Sequence, residues 1–108
     1  MAQDFRNVLV RTIGTGDTTL LAAGDYDAVI GIRCCNILTS TIAIDVKIAK
    51  GGDDYFLAKG VSIPPNSAIE LIQGGAKIVL ANGDTLEAVS DTASSLDVVL
   101  SFIDTISS

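Results

Sequence analysis

The stretch Ile42-Ala43-Ile44-Asp45-Val46-Lys47-Ile48 decides the fold class of this chain. Every second residue in it is a β-branched aliphatic residue, and the residues between are small or charged. Because successive side chains of a strand point to opposite faces, this alternation predicts a strand with one buried face. Such a strand needs a second layer that covers the apolar face of its sheet, so we expect several further strands.

Short apolar segments separated by turn residues continue along the whole chain, at a spacing typical of all-β proteins. Besides the strand at Ile42, the predicted strands are Phe5–Ile13, Thr18–Ala22, Asp27–Leu38, Tyr55–Ala58, Val61–Ile63, Ala68–Ile72, Lys77–Leu80, Thr85–Val89 and Leu96–Ile103. Two packed sheets or a closed barrel can hold so many strands. We favour an all-β, two-layer β-sandwich of jelly-roll or immunoglobulin-like type, with about 9–10 short strands and no helix of ordinary length.

Three turns carry clear sequence signals. Lys50-Gly51-Gly52-Asp53-Asp54 predicts a hairpin turn, and Asn82-Gly83 predicts a second hairpin that joins the strands on either side of it. Pro64-Pro65 has no amide donors, so we expect a bend at an edge or a corner there.

The size and composition of the chain limit the choice of function. Its 108 residues and 11.1 kDa suit a single domain, residues 1–108, with one packed core. Hydrophobic residues make up 48% of the chain, charged residues only 19%, and the mean hydropathy is +0.48. This is apolar for a small domain that must also cover its own surface, so we expect some apolar area to face a partner.

The charge balance argues against two classes of partner. Thirteen acidic and seven basic side chains give a net charge of -6, which repels phosphate backbones and anionic lipid headgroups. Direct binding to nucleic acid or to a membrane is therefore not expected. No apolar run approaches the roughly 20 residues that span a bilayer, and Met1 to Arg6 lacks the pattern of a signal peptide. We expect a cytosol-like compartment or release by cell lysis.

The two cysteines, Cys34 and Cys35, are adjacent in an apolar run. In a strand their side chains point to opposite faces, so a disulfide between them would need a strained ring. We expect two buried free thiols. The alternative, a redox or metal-binding pair, would have no further cysteine and no histidine to support it.

No group of residues predicts catalysis. The carboxylate groupings, Asp53-Asp54, Asp25 with Asp27, and Asp84, all lie in predicted turns, where aspartates bond their own backbone and stay solvated. The spacing of an EF-hand is absent. Nucleophiles have no histidine base, and the lysines Lys47, Lys50, Lys59 and Lys77 accompany no serine motif. We therefore expect a protein that is not an enzyme and has no catalytic residue, cofactor or metal site.

The last predicted strand indicates a contact surface. Val98, Leu100 and Phe102 share one face, while Val99 and Ile103 share the other face with Asp97 and Ser101. If the first face fills the core, the second turns two branched aliphatic residues toward water or another subunit. Alternatively, the strand is central and covered on both faces.

Three stretches resemble small virion proteins encoded by tailed bacteriophages. Residues 54–71, which contain Tyr55-Phe56-Leu57 and Ile63-Pro64-Pro65, are similar to the middle of those proteins. Ile78-Val79-Leu80-Ala81-Asn82-Gly83-Asp84-Thr85-Leu86 resembles one of their hairpins, and Leu96-Asp97-Val98-Val99-Leu100-Ser101-Phe102-Ile103 resembles their last strand. The likeness covers about the last two-thirds of the chain, from Ile42 onward.

This resemblance implies a β-sandwich that works by assembly rather than by catalysis. Proteins of this kind serve as capsid decoration (cement) proteins or as parts of the tail, baseplate or fibres. Of these roles we favour a capsid decoration protein of the virion, assembled in the cytoplasm of the host bacterium. Such a protein would associate with itself as a homotrimer and clamp the major capsid protein or other virion proteins. We expect Val99 and Ile103 to mediate self-association. We expect the segment Met1 to Phe5, and Phe5 in particular, to extend over the capsid shell.

Two other functions stay open at this stage. One is a structural subunit of the tail, the baseplate or the fibre attachment, which would be present in few copies per particle. The other, from a different class, is a carbohydrate-binding module. Such a module normally exposes an aromatic platform, and this chain has no tryptophan and only two tyrosines, Tyr26 and Tyr55.

Overall fold

The computed structural model describes residues 4–23, 26–72 and 78–104. These residues form nine strands and no helix. The strands are β1 (Asp4–Ile13), β2 (Thr18–Ala22), β3 (Asp27–Asn36), β4 (Ile42–Lys50), β5 (Asp53–Ile63), β6 (Ala68–Glu70), β7 (Ile78–Leu80), β8 (Thr85–Ser90) and β9 (Leu96–Asp104). The predicted strands Tyr55–Ala58 and Val61–Ile63 are thus parts of one continuous strand, β5.

The strands form two antiparallel sheets that pack as a sandwich. One sheet has the order β1-β9-β3-β6, and β7 also pairs with β3; the other has the order β2-β8-β4-β5. Strands β6 and β7 pair with opposite ends of β3, so together they take one strand position. The first strand lies beside the last, and the chain alternates between the sheets except from β4 to β5 and from β6 to β7. The predicted β-sandwich is confirmed, and its strand order is that of the jelly roll.

The core lies between the two sheets and follows the alternation seen in the sequence. Ile42, Ile44 and Val46 of β4 are at most 1% exposed. The fully buried side chains of the other strands include Val29, Ile32, Leu80, Leu86, Leu96, Val98 and Leu100. Each buried Val, Leu or Ile stabilises the fold by about 1.5–3 kcal/mol relative to exposure. The apolar faces of both sheets therefore supply the main stabilising contribution.

The hairpin predicted at Gly51-Gly52 is confirmed. Lys50 and Asp53 pair across the end of β4 and β5, and the two glycines between them have φ angles of 62° and 86°. Two successive residues with positive φ are typical of the type I′ turn, whose twist matches that of the two strands. Glycine adopts this conformation without steric cost.

The hairpin predicted at Asn82-Gly83 is wrong. Strand β7 belongs to the five-stranded sheet and β8 to the four-stranded sheet, so the turn carries the chain across the sandwich. Of the two residues only Gly83, at 93°, has a positive φ, whereas a type I′ turn needs both. Asp84 holds the turn: its Oδ2 accepts a hydrogen bond from the Ala81 amide at 2.9 Å.

Candidate interaction surface

The outward face of the five-stranded sheet carries four large apolar side chains on its two neighbouring strands β1 and β9. Phe5 lies directly opposite Ile103, and Leu9 lies directly opposite Val99. Phe5 is 75% exposed, Leu9 68% and Val99 44%, and Ile103 is half-buried. We call these four residues the apolar stripe. The polar pair of Asn7 and Ser101 lies on the same face between the two apolar pairs. Exposed apolar patches next to polar residues are typical of sites of protein association.

The structure brings together the three residues that the sequence pointed to, namely Phe5, Val99 and Ile103. The sequence did not predict Leu9 as a contact residue, because the continuous apolar run Val8-Leu9-Val10 is typical of a buried strand. The even spacing of Leu9 from Phe5 is the signal that places both on one face. Residues 1–3 of the segment Met1 to Phe5 lie outside the described residues. The role of the stripe in an interface stays a prediction.

Strand β9 shows why the stripe faces outward. Val98, Leu100 and Phe102 point into the sandwich and are at most 6% exposed, so the intervening residues must point away from it. The strand is central, because β1 and β3 pair with its two sides. No second layer of the described residues covers Val99, so the alternative of a strand covered on both faces is wrong there.

Polar groups border the stripe. Arg33 of β3 lies opposite Val99 and forms an ion pair with Glu70 of β6, with Nη2 to Oε1 at 2.6 Å. At the end of the stripe beyond Leu9 and Val99, the Thr12 amide donates a hydrogen bond of 2.9 Å to Oδ1 of Asp97. Protein interfaces commonly combine apolar contacts with polar groups at their rim.

A charged cluster on the outward face of the four-stranded sheet consists of Lys47, Asp17 and Asp54. Nζ of Lys47 lies 3.1 Å from a carboxylate oxygen of Asp17 and 3.0 Å from Oδ2 of Asp54, and the Lys47 side chain is only 9% exposed. The hydrogen bonds to Asp54 and Asp17 raise the pKa of the Lys47 amine. The amine is therefore held in its protonated form, which is not a nucleophile. The sequence missed this cluster because Asp17 and Lys47 are 30 residues apart.

The two thiols have different surroundings. Cys34 and Cys35 are both free and, as predicted, point to opposite faces of β3. Cys34 is fully buried, and burial, with a smaller contribution from the charge of Glu70, raises its pKa to about 12. Cys35 is only half-buried, because it lies on the outward face of the sheet. The expectation of two buried thiols is therefore wrong for Cys35.

The carboxylates singled out in the sequence are not grouped for catalysis in the described residues. Asp53 and Asp54 are exposed as expected, but they belong to β5 rather than to a turn. Asp27 begins β3 and is 4% exposed, and Asp84 lies in a turn but is 8% exposed, so the expectation that both are solvated is wrong. Asp84 is covered because its turn crosses the sandwich, and its Oδ1 lies 3.2 Å from Nζ of Lys50. Asp25 lies outside the described residues.

No group of three or more potential metal ligands occurs in ranges 4–23, 26–72 and 78–104. In the same ranges there is no helix that could cross a lipid bilayer.

Comparison with known proteins finds similarity in structure only. No family model and no curated protein matches the chain. A pentameric capsid protein isolated from metagenomic phage sequences is 18% identical with a TM-score of 0.51, and the match covers 93% of this chain and 61% of that one. A second structure of such a protein, solved by iodide phasing, is 19% identical with a TM-score of 0.51 and coverages of 93% and 62%.

A third solved structure comes from Bacillus endospore appendages, which form a family of disulfide-linked pili. It is 17% identical with a TM-score of 0.49, and the match covers 98% of this chain and 88% of that one. This chain spans about three fifths of the length of the two phage capsid proteins. The likeness to those capsid proteins shows a shared β-sandwich fold.

Proposed function

We propose that this chain is a single-domain structural protein of a phage virion, and that it is a capsid decoration protein. The observation that carries the proposal is the apolar stripe, which exposes Phe5, Leu9 and Val99 on one face of a rigid jelly roll. The strand order is one that viral capsid domains use, and two similar structures are described as phage capsid proteins. The protein would reach its place in the virion during assembly in the host bacterial cytoplasm.

In this proposal the apolar stripe is covered by neighbouring virion subunits, namely the major capsid protein and other copies of this chain. Burial of its apolar area supplies affinity at about 25 cal/mol per Å². Because such a protein binds the assembled lattice and not the separated subunits, each bound copy lowers the free energy of the assembled state. Many weak contacts on one shell then add up to a large stabilisation. The acidic surface stays in water and disfavours contact with the packaged DNA.

The two other functions make different demands on the structure. A tail, baseplate or fibre subunit could use the same stripe, and a low copy number per particle would distinguish it. A carbohydrate-binding module would need an open aromatic face. Tyr55 and Phe56 of β5 are exposed, but Nζ of Lys59 lies 4.3 Å from the centre of the Phe56 ring and covers it. This arrangement speaks against a sugar platform at Phe56.

Reconstitution on purified particles tests the proposal. Virions that lack the protein are mixed with the purified wild type, with Val99→Asp or with Tyr55→Asp, and bound copies are counted after sedimentation and by electron cryomicroscopy. We expect many wild-type copies per capsid, a large loss for Val99→Asp, and unchanged binding for Tyr55→Asp, which lies on the other sheet. Unchanged binding of Val99→Asp would exclude the stripe, and absence of the wild type from every virion would exclude the function.

A further inference from the structure

The jelly roll protects most of its sheet edges from pairing with other chains. Strand β2 has five residues, and β6 and β7 have three each, so these edges offer few backbone groups. The longer edge strand β5 is interrupted twice. Its pairing with β4 skips Leu57 and again skips Lys59-Gly60, where the Gly60 amide donates a hydrogen bond of 2.7 Å to Oδ1 of Asp45. Short edges and bulges of this kind hinder edge-to-edge association.

Strand β1 is different. It has ten residues and no proline, its charged residues are Asp4, Arg6 and Arg11, and it lies at the end of the strand order of its sheet. Its pairing with β9 is regular from Asp4 to Val10, and the first irregularity comes between Val10 and Ile13. Beyond β1 no further strand of the described residues extends this sheet. A long, regular edge strand is a template for another strand.

We propose that β1 pairs with β1 of a second copy of this chain, antiparallel and about a two-fold axis that passes beside Asn7. The regular run from Asp4 to Val10 is symmetric about Asn7. In this register Phe5 of one copy lies opposite Leu9 of the other, on the outward face of both sheets. Two of the most exposed apolar side chains of the chain therefore cover each other.

Other registers fit less well. A slip by one residue would place the outward side chains of one copy opposite the inward side chains of the other. An axis beside Val8 keeps the faces matched, but it places Phe5 opposite Arg11 and includes the irregular stretch that contains Thr12. Thr12 has a positive φ of 56°, which does not suit a ladder.

The pairing goes beyond the proposed function because it concerns the free protein in solution. It would extend the two apolar stripes into two rows, in each of which Ile103 and Phe5 of one copy continue into Leu9 and Val99 of the other. Asn7 and Ser101 of both copies lie between the rows. Seven paired residues per chain make a small interface, so we expect micromolar rather than nanomolar dissociation. In a dimer with two-fold symmetry both copies use the same edge for the contact, so assembly stops at two copies. The pairing therefore predicts a different mass from the homotrimer that we expect from the sequence for a decoration protein.

Sedimentation velocity over a range of protein concentrations tests the pairing. We expect the wild type to reach twice the chain mass of 11.1 kDa. Asn7→Asp places two carboxylates at the axis and should raise the dissociation constant about tenfold at low salt, less at high salt. Asn7→Lys should do the same, and an equimolar mixture of the two variants should restore the dimer.

Ser101→Asp is the matched control, because Ser101 lies opposite Asn7 on the same face and one strand further from the edge. In the dimer its two copies would lie about 14 Å apart, which exceeds the screening length at physiological salt. We expect this variant to dimerise like the wild type. Circular dichroism checks that each variant is folded.

A monomer at all concentrations, or a trimer or pentamer, would overturn the pairing. Equal weakening by Asn7→Asp and Ser101→Asp, or no recovery in the mixture, would also overturn it. The proposed function fails separately: a monomer that binds capsids refutes only the pairing, and a dimer that is absent from every virion refutes only the function.

Discussion

Val98 and Val99 are neighbours in β9 but have opposite surroundings: Val98 is 1% exposed in the core, and Val99 is 44% exposed in the apolar stripe. The backbone alternation of the strand alone causes this difference. The pair therefore separates the residues that stabilise the fold from those available for contact.

Alanine substitution of the two valines should have very different effects on stability. Val98→Ala removes buried methyl groups and leaves a cavity, so it should lower the free energy of unfolding by about 2 kcal/mol. Val99→Ala should change it by less than about 0.5 kcal/mol. Urea unfolding of both variants measures this. Equal losses would mean that Val99 is buried in the protein in solution.

Asn36 should be one of the most sensitive polar residues, because it is fully buried. Its Nδ2 donates to the carbonyl oxygens of Ser40 at 2.8 Å, Ile63 at 3.0 Å and Pro64 at 3.1 Å, and its Oδ1 accepts from the Leu38 amide at 2.9 Å. Asn36→Ala leaves these backbone groups without that partner and should cost about 2–4 kcal/mol.

Asn82→Ala is the control for Asn36, since Asn82 is exposed in its turn. It should cost less than about 0.5 kcal/mol. Thermal or urea unfolding compares the two variants. A loss for Asn36→Ala no larger than that for Asn82→Ala would show that water replaces its hydrogen bonds.

The two thiols should react at different rates with an aromatic disulfide reagent at pH 8. Cys34 is buried and its pKa is raised to about 12, so almost none of it is thiolate at this pH. One thiol per folded chain, that of Cys35, should react, and two should react after denaturation. The folded Cys35→Ser variant should show no fast reaction. A fast reaction of that variant would contradict the burial of Cys34.

Lys47 should make stability depend on alkaline pH. Its pKa in the folded protein is raised above the ordinary value of 10.5 by Asp54 and Asp17. The stability that Lys47 contributes is therefore fully present below pH 10.5, and it is lost as the pH rises through the pKa of Lys47 in the folded protein. The difference in unfolding free energy between wild type and Lys47→Met should stay constant from pH 7 to pH 9 and decrease above pH 10.5.

Lys47→Arg provides the control, because the guanidinium group stays charged to higher pH. The difference in unfolding free energy between Lys47→Arg and Lys47→Met should persist at the pH values where the difference between wild type and Lys47→Met decreases. Urea unfolding at each pH measures both differences. A wild-type difference that is constant up to pH 11.5 would show that the amine gains no proton affinity from the two aspartates.

The sequence predicted local structure well where one residue's surroundings follow from its neighbours in the chain. The alternation in Ile42 to Ile48 defined the buried face of β4, and Gly51-Gly52 defined a hairpin. The hairpin predicted from Asn82-Gly83 is wrong, because a turn signal shows where the chain bends but not which sheet the next strand joins. The pairing of β7 with β3 competes with a hairpin and depends on residues about 50 positions away.

The apolar stripe was predictable only in part. Val99 and Ile103 could be found because the alternation in β9 is regular, but Leu9 was hidden in a continuous apolar run. The contact of Lys47 with Asp17 joins a strand and a loop that are 30 residues apart in the sequence, so spacing alone could not predict it. Such pairs exist only once strand order and register are set.

By itself, the sequence determined that this chain forms a β-sandwich and which face of each regular strand is buried, because side-chain direction alternates with every residue. Tertiary structure alone decided that the strands follow the jelly-roll order, that Phe5 and Leu9 lie beside Ile103 and Val99, and that β1 remains a long regular edge. The reason is that strand pairing depends on hydrogen bonds and packing between segments far apart in the chain, which no local pattern records.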